Sequence, residues 1–348
     1  MAVADIAYDE PVADTRSFAR WIPRLVVWAA IAALVLGWPL ALADFHSQRW
    51  SHAVVLTIAA LSLNVLIGYA GQISLGHQGF LGVGAFVSAY VVAVLGQPFF
   101  MGVVAGIVTG AVASLLMGVV ALRVRGLYLA LVTLAYGRMA QETLFNLRIF
   151  GSGAGVEAPR PSFLASDRAF YYFTLVMLAL VLYVNWRFVR SKAGRAVSAI
   201  RENEQVAASY GIPVARYKLL AFVLSGAFVG LAGALFAFRN SRIDSQGLSF
   251  QLALFIVLLT VVGGLRSPAG IIVFAVFFDL LPIYISDEFG IKWSFWLLAV
   301  GPALLVVTLV LYPGGVGQQI KPLTSWLRGG PLRAHHEEFV QEGVSGRP

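Results

Sequence analysis

The sequence lacks cysteine, is poor in charge and contains no nucleotide-binding loop. With no cysteine among its 348 residues, the chain can form neither disulfides nor thiolate metal sites. Charged residues make up 12% and hydrophobic residues 59%, a balance typical of integral membrane proteins rather than soluble domains. The pattern G-x-x-x-x-G-K-[ST] does not occur, so any ATP chemistry would have to come from another polypeptide. We therefore expect a membrane protein. A lone histidine, His77, without a nearby acid–nucleophile or metal set gives no catalytic constellation, so we expect neither an enzyme nor a bound cofactor.

Long apolar runs dominate the chain. A helix that spans a bilayer needs about 20 apolar residues, and ten runs approach this length. The runs are Leu25–Ala43, Ala53–Tyr69, Gln78–Leu95, Met101–Leu122, Leu127–Asn146, Ala169–Trp186, Leu219–Phe238, Leu248–Gly264, Ala269–Ser286 and Trp293–Tyr312. They predict an all-α polytopic membrane protein with a transmembrane region at 25–312 and polar tails at 1–24 and 313–348, the second tail disordered. The third run is rich in glycine and is predicted to be broken or re-entrant.

The distribution of positive charge predicts the orientation of these helices. Arg16, Arg20 and Arg24 precede the first run, and with ten crossings most other Lys and Arg residues fall on the same side. By the positive-inside rule this side is the cytoplasm, so we expect both termini there and the protein in the cell (inner) membrane. The net charge of +8 comes from these loops, so membrane lipid rather than nucleic acid is the expected surrounding.

The largest internal polar block covers residues 187–218, between two apolar runs. Its middle has the pattern of a short amphipathic helix, with Val197, Ile200 and Ala207 on one face. Gly211 then supplies a helix stop. A short helix held outside the membrane between two spanning helices suits the docking of a soluble partner.

A second unusual stretch, Asn64–Ala85, combines glycines with polar residues inside the apolar region. Irregular backbone at membrane depth must face protein or a water-filled cavity, and it can expose amide and carbonyl groups to a solute. The stretch is therefore predicted to line a solute pathway, although the glycines could serve only to pack helices and the histidine could be a packing residue. Its polar side chains are Asn64, Tyr69, Gln72, Ser74, His77 and Gln78.

Thr133 and Tyr136 extend the same pathway hypothesis to a later run. They share one predicted helix with Arg138 and Glu142, which lie one helical turn apart and can pair. An Arg–Glu pair near a helix end can also be a simple interfacial anchor.

Asp279 is a lone carboxylate inside an apolar run. Such acids are rare in membrane helices and often functional, but Pro282 indicates a nearby helix end or kink where water could enter. The glycine-rich turn Gly263–Gly270, which carries Arg266, is interpreted as an inner loop or a re-entrant break.

Four segments together resemble a known family. NVLIGYAGQISLGHQGFLGVGAF, RVRGLYLALVTLAYG, AIRENEQVAASYGIPVARYKLLAFVLSGAFVGLAGALFA and VVGGLRSPAG are similar, in this order, to the LivM-type permease subunit of ABC importers for branched-chain amino acids. The resemblance runs from roughly Ala53 to Tyr312. It implies alternating access driven by ATP hydrolysis on other subunits.

The resemblance also implies partners and a coupling helix. The partners would be a LivH-like permease, two ABC ATPase subunits and a periplasmic or extracellular solute-binding protein. The polar block at 187–218 would contain the helix that sits in a cleft of the ATPase. The residues that match the family pattern there are Arg201, Glu202, Asn203, Ala207, Ala208 and Gly211.

Two departures from the family pattern leave the solute open. Arg138 follows Gly137 where the family often has glutamate, and the outer loop has FGSGAG where many relatives have T-G-G-x-x-G-I. Within the group that this chain resembles, related permeases carry urea, short amides or other amino acids. Outside the family, an ion-gradient-driven carrier that uses Asp279 or Glu142, or a non-transporting scaffold subunit, remains an alternative.

Overall fold

The computed structural model describes residues 44–124, 126–150, 154–289 and 314–320, with isolated positions 37, 303, 306, 307 and 310. Within these ranges the chain is almost entirely helical. The helices are α1 (Asp44–Asn64), α2 (His77–Ala93), α3 (Phe99–Ala121), α4 (Leu127–Glu142), α5 (Asp167–Arg190), α6 (Lys192–Glu202), α7 (Glu204–Ser209), α8 (Val214–Asn240), α9 (Phe250–Gly263) and α10 (Pro268–Phe289).

Four helices are long and apolar enough to cross a membrane. They are α1 with its continuation to Tyr69, α3, α5 and α8, while α2, α9 and the first part of α10 are shorter apolar helices. The protein is thus an integral membrane protein made of α-helices. Apart from isolated positions, the predicted runs Leu25–Ala43 and Trp293–Tyr312 lie outside the described residues, so ten crossings remain a prediction.

Helix α1 forms the centre of the bundle. It packs against α5, α8, α9 and α10. Every residue from Ala53 to Leu66 is buried, because the helix is apolar or small on all faces. Helix α3 lies further out and keeps one face exposed, with large apolar side chains about one turn apart. That face carries Phe100, Val104, Val108, Val112 and Leu116.

Glycines allow α2, α3 and α8 to approach closely. A Cβ on Gly230 of α8 would lie 2.3 Å from the carbonyl oxygen of Gly106 in α3. A Cβ on Gly84 of α2 would lie 2.6 Å from the carbonyl oxygen of Gly230. Small residues bring helix backbones together in membranes, where dispersion contacts drive association. These glycines therefore pack helices.

Helices α6 and α7, the end of α1 and the α9–α10 turn lie together, and we call this end of the bundle the α6–α7 side. Arg201 of α6 and Arg266 of the turn both hydrogen-bond the carbonyl oxygen of Gly68. Residues 314–320 pack there too, since a Cβ on Gly317 would lie 2.4 Å from the Cβ of Ser267. The prediction that residues 313–348 are disordered is therefore wrong for this first part, whose glycines fit against the turn.

The other end of the bundle is closed by the connection between α4 and α5. Its strand β1 (Val156–Glu157) pairs antiparallel with β2 (Arg242–Ile243), with Val156 opposite Ile243. Arg160 donates to the carbonyl oxygens of Phe238 at 2.7 Å and Arg239 at 2.5 Å, and it pairs with Asp167 at 2.6 Å. This arginine binds the last carbonyls of α8, where a cation also complements the helix dipole.

Candidate functional site

The polar stretch predicted to line a pathway surrounds the connection between α1 and α2. Helix α1 widens into a π-helical turn at Val65–Tyr69, and irregular backbone follows at 70–76. Helix α2 itself is continuous, so the break lies before the third predicted run rather than within it. The predicted pathway side chains are all buried except Tyr136, which is half-buried: Asn64, Tyr69, Gln72, Ser74, His77, Gln78, Thr133 and Tyr136.

Asn64 and Tyr69 hold the α9–α10 turn against α1. The side-chain oxygen of Asn64 accepts from the backbone N–H of Arg266 at 2.9 Å. The hydroxyl of Tyr69 donates to the carbonyl oxygen of Arg266 at 3.4 Å. Arg266 has a positive φ of 65°, a conformation uncommon for a residue with a side chain. These two contacts keep the turn in that conformation.

His77 is the centre of a hydrogen-bond chain that joins three helices. Its Nδ1 lies 3.2 Å from the hydroxyl of Ser74, and its Nε2 lies 3.2 Å from the hydroxyl of Ser225 in α8. Ser225 donates its one proton to the carbonyl oxygen of Ser62 at 2.8 Å, so it must accept from His77. The Nε2–H tautomer follows, with Nδ1 accepting from Ser74. These bonds give His77 and Ser74 a structural role, and their pathway role stays a prediction.

The amide group of Gln78 lacks such hydrogen bonds within the described residues. Its side chain is completely buried, and neither its amide nitrogen nor its amide oxygen has a hydrogen-bond partner among the described residues. It lies against α4, where a Cβ on Gly137 would be 2.4 Å from its Nε2. A buried polar group without a partner costs about 1–3 kcal/mol, and such groups occur where function requires them.

Thr133 and Tyr136 lie where the start of α2 contacts α4. The backbone N–H of Leu75 donates to the hydroxyl of Thr133 at 3.0 Å. Tyr136 stacks on Phe80 with ring centroids 4.8 Å apart. A Cβ on Gly76 would lie 1.8 Å from the carbonyl oxygen of Thr133. The two helices are in direct backbone contact, so solute could pass between them only if they moved apart.

The predicted single amphipathic helix in the 187–218 block is two helices. The side chain of Asn203 accepts from the backbone N–H groups of Gln205 at 3.0 Å and Val206 at 3.1 Å. Asn203 therefore caps the start of α7 and ends α6. The prediction that Val197, Ile200 and Ala207 share one helix face is wrong, although all three are buried.

The boundaries of the polar block also differ from the predicted 187–218. Helix α5 continues to Arg190 and α8 begins at Val214, so the segment outside these helices covers 191–213. Gly211 adopts a φ of +76° directly after α7 and ends it as expected.

The outward surface of α7 carries exposed apolar groups that sequence reasoning missed. Tyr210 is 82% exposed and Val206 is 50% exposed. Ala208 is exposed beside them, while Lys218 of α8 fixes α7 through a 2.8 Å bond to Glu204. Exposed apolar groups outside a spanning region are typical of protein contacts.

Arg201 is exposed to solvent on one side and also bonds to the helix bundle. Its guanidinium donates to the carbonyl oxygen of Gly68 at the end of α1. Burial and the positive charge of Arg266 lower the pKa of Arg201, and Glu202 raises it, but a guanidinium stays protonated. A cavity of about 210 Å³ opens beside it, lined by Gln72, Glu202, Asn203 and other residues of both segments.

The charged residues proposed for an ion-gradient-driven carrier each have a charged or polar partner in the structure. Arg138 lies 3.8 Å from Glu142 as predicted, and both are exposed. Asp279 is not a lone carboxylate, because it accepts from His52 Nδ1 at 3.0 Å. Helix α10 continues through Pro282 to Phe289, so the helix does not end there, and a kink at Pro282 stays a prediction. Sequence reasoning could not find the partner of Asp279, which is more than 200 residues away along the chain.

Comparison with known families now places the chain. A family model described as "Branched-chain amino acid transport system / permease component" matches residues 49–311. The chain belongs to this family. The match begins within α1 and extends past the end of α10, and it confirms the resemblance noted in the sequence.

Individual relatives agree with this assignment. The high-affinity branched-chain amino acid transport system permease protein LivM of Salmonella typhimurium is 29% identical over 84% of this chain and 75% of its own length. LivM of Escherichia coli gives the same identity and coverage. The putative glucose ABC transporter permease protein TsgC13 of Haloferax volcanii is 28% identical over 66% of this chain and 73% of its own length. No solved structure gives a significant match.

Proposed function

We propose that this chain is one of two permease subunits of an ATP-driven importer for branched-chain or related amino acids. It would assemble with a LivH-like permease, two ABC ATPase subunits and a solute-binding protein outside the cell. The similarity to LivM over most of both chains supports the solute class. The glucose permease among the relatives shows that the wider group has other solutes, so the solute needs a direct test.

The observation that carries this proposal is the α6–α7 unit. This unit lies between the spanning helices α5 and α8 and presents exposed apolar groups at Val206 and Tyr210. In the proposed importer this surface faces the cytoplasm and binds an ATPase subunit. The same assignment places both termini in the cytoplasm and the protein in the inner membrane.

We infer that the solute pathway involves the contact between α2 and α4. Gln78 is fully buried there and has no hydrogen-bond partner in the described part of the chain, which is costly unless another conformation uses its amide. Separation of the two helices would expose the amide to a solute, as alternating access requires. Urea and short amides remain second candidates because an amide side chain can bind them as well as an amino acid.

Reconstituted transport tests the proposal. The chain is co-expressed with a LivH-like permease and ABC ATPase subunits from the same organism. The purified complex is placed in liposomes with ATP inside and the solute-binding protein outside. We expect uptake of radiolabelled leucine that stops without ATP, with weaker uptake of urea and glucose. Uptake driven by a proton gradient in the absence of ATP would contradict the proposal. Failure of the co-expressed ATPase subunits to copurify with the chain would contradict it too.

A further inference from the structure

The end of α1 leaves one carbonyl oxygen open to side-chain donors. In a regular helix the backbone N–H of Gln72 would donate to the carbonyl oxygen of Gly68. After the π-helical turn it donates instead to Leu66 at 2.9 Å, and Ala70 donates to Val65 at 3.2 Å. The Gly68 oxygen is therefore part of the negative end of the helix dipole and needs other donors.

Two arginines from distant segments bind this single oxygen. Arg201 reaches it from the last turn of α6, and Arg266 donates to it through Nε at 3.0 Å from the α9–α10 turn. The two guanidinium groups that share this oxygen repel each other, but the negative end of the α1 dipole offsets the repulsion. The stem of Arg201 lies on Gly71, where a Cβ would be 2.7 Å from its Cγ. Gly71 has a φ of +66°, so both backbone and space favour glycine there.

We propose that Arg201 is a positioning residue that links α6 directly to the end of α1, rather than a residue that docks on the ATPase. The inference rests on the proposed function, in which α6–α7 receives the movement of the ATPase. Because α1 is the buried centre of the bundle and precedes the polar connection to α2, this link joins the ATPase surface to the pathway residues.

The same geometry assigns ATPase contact and transmission of movement to different side chains of the α6–α7 unit. Val206 on α7 and Tyr210 directly after it face outward, whereas Arg201 on α6 bonds inward to Gly68. Contact with the ATPase and transmission of its movement are thus carried by different side chains. Loss of Arg201 should leave the assembly intact and weaken only transmission.

Arg195 provides a matched control on the same helix. It is exposed, and its guanidinium donates to the carbonyl oxygen of Arg190 at 2.9 Å, within the same segment. Arg195→Ala removes the same type of side chain as Arg201→Ala without breaking a bond to α1.

The first experiment measures hydrogen exchange of the purified full-length chain in detergent, without partners. We expect Arg201→Ala to speed exchange of the backbone amides at 70–72 by about tenfold, the size of a typical coupling contact. Arg195→Ala should leave them unchanged. Unchanged exchange in Arg201→Ala would overturn the link whether or not the chain is part of an ATP-driven importer.

The second experiment uses the reconstituted complex. We expect Arg201→Ala to copurify with the ATPase and to keep its ATP hydrolysis, while solute moved per ATP falls about tenfold. Arg201→Lys, which keeps a donor and a charge, should recover part of the loss. Loss of the ATPase from the Arg201→Ala complex, or an equal fall in hydrolysis and uptake, would show a docking or a merely structural role and overturn the proposal.

Discussion

At the scale of single residues, Gln78 is the side chain whose environment is least consistent with a purely structural role. It is buried and has no hydrogen-bond partner among the residues that the structure describes, while the neighbouring His77 has both ring nitrogens bonded. A residue selected only for packing at this position would be apolar, because leucine has a similar volume and no unsatisfied atoms. The structure thus distinguishes two adjacent polar residues, His77 and Gln78, for which the sequence predicts the same pathway role.

The substitution Gln78→Leu should raise stability and lower transport together. We expect the free energy of unfolding in detergent to increase by about 1–3 kcal/mol, since the buried amide is removed. Solute uptake should fall, because the proposed contact with solute is lost. Thermal denaturation and liposome uptake measure the two effects, and Gln97→Leu at an exposed position is the control. Undiminished uptake in Gln78→Leu would return this residue to helix packing.

Asp279 leads to the opposite expectation. It pairs with His52 of α1, so the pair joins α10 to the central helix. We expect Asp279→Asn to lower the free energy of unfolding by about 1–3 kcal/mol, because a charge-assisted hydrogen bond to a part-buried partner is weakened. ATP-dependent uptake by the folded fraction should persist. A variant that is stable yet unable to transport would instead support a proton-carrying role for this carboxylate.

At the scale of elements, the break between α6 and α7 depends on one side chain. We expect Asn203→Ala to weaken the start of α7 by about 1 kcal/mol, which corresponds to roughly fivefold faster exchange of the Gln205 and Val206 amides. Hydrogen exchange of the purified chain measures this, with Ser209→Ala at the other end of α7 as control. If the two amides kept their protection, α7 would be held by contacts other than its cap.

The long helices could be predicted from the sequence and the bonds between them could not. The apolar runs that became α3, α5 and α8 were placed within a few residues, because the thickness of a bilayer determines their length. The cap at Asn203 was present in the sequence as an asparagine before a glutamate, a known start signal, but continuous amphipathic periodicity favoured one helix. Local patterns compete in this way when an element is short.

The candidate site was predictable in composition but not in geometry. Polar residues between apolar runs marked the α1–α2 connection because such residues are rare in membranes. Whether each is bonded or open depends on contacts from far along the chain, such as Ser225 to His77 and Arg266 to Asn64. The family pattern predicts that Arg201 belongs to the coupling helix. Its bond to Gly68 could not be predicted, because the two residues are 133 positions apart in the chain.

At the scale of the whole molecule, the described surface has two different ends. The α6–α7 side carries the paired arginines, exposed Tyr210 and the start of the carboxyl-terminal tail. The other end carries the β1–β2 pair and the Arg160–Asp167 ion pair. An ATPase can act only on a cytoplasmic surface, so the coupling proposal requires that the α6–α7 side face the cytoplasm.

The absence of cysteine makes this orientation directly measurable. Ser162 lies on the β1–β2 end and Ser209 on α7, and both are exposed. Because the chain has no native thiol, Ser162→Cys and Ser209→Cys each introduce one reactive group with little change in shape. We expect a membrane-impermeant maleimide to label Ser162→Cys in intact spheroplasts of cells that express the chain without partners. Ser209→Cys should be labelled only after permeabilisation.

The two variants act as controls for each other, since labelling of both after permeabilisation shows that both thiols are accessible. The reverse pattern in intact spheroplasts would place α6–α7 outside the cell, where no ATP-hydrolysing subunit could reach it. It would contradict the cytoplasmic placement of both termini and the ATPase-coupling role together, while leaving membership of the permease family intact. Labelling of Ser162→Cys alone in intact spheroplasts would instead place the α6–α7 side in the cytoplasm. Arg201 and Gly68 would then have to transmit movement from the cytoplasmic surface towards the α1–α2 connection.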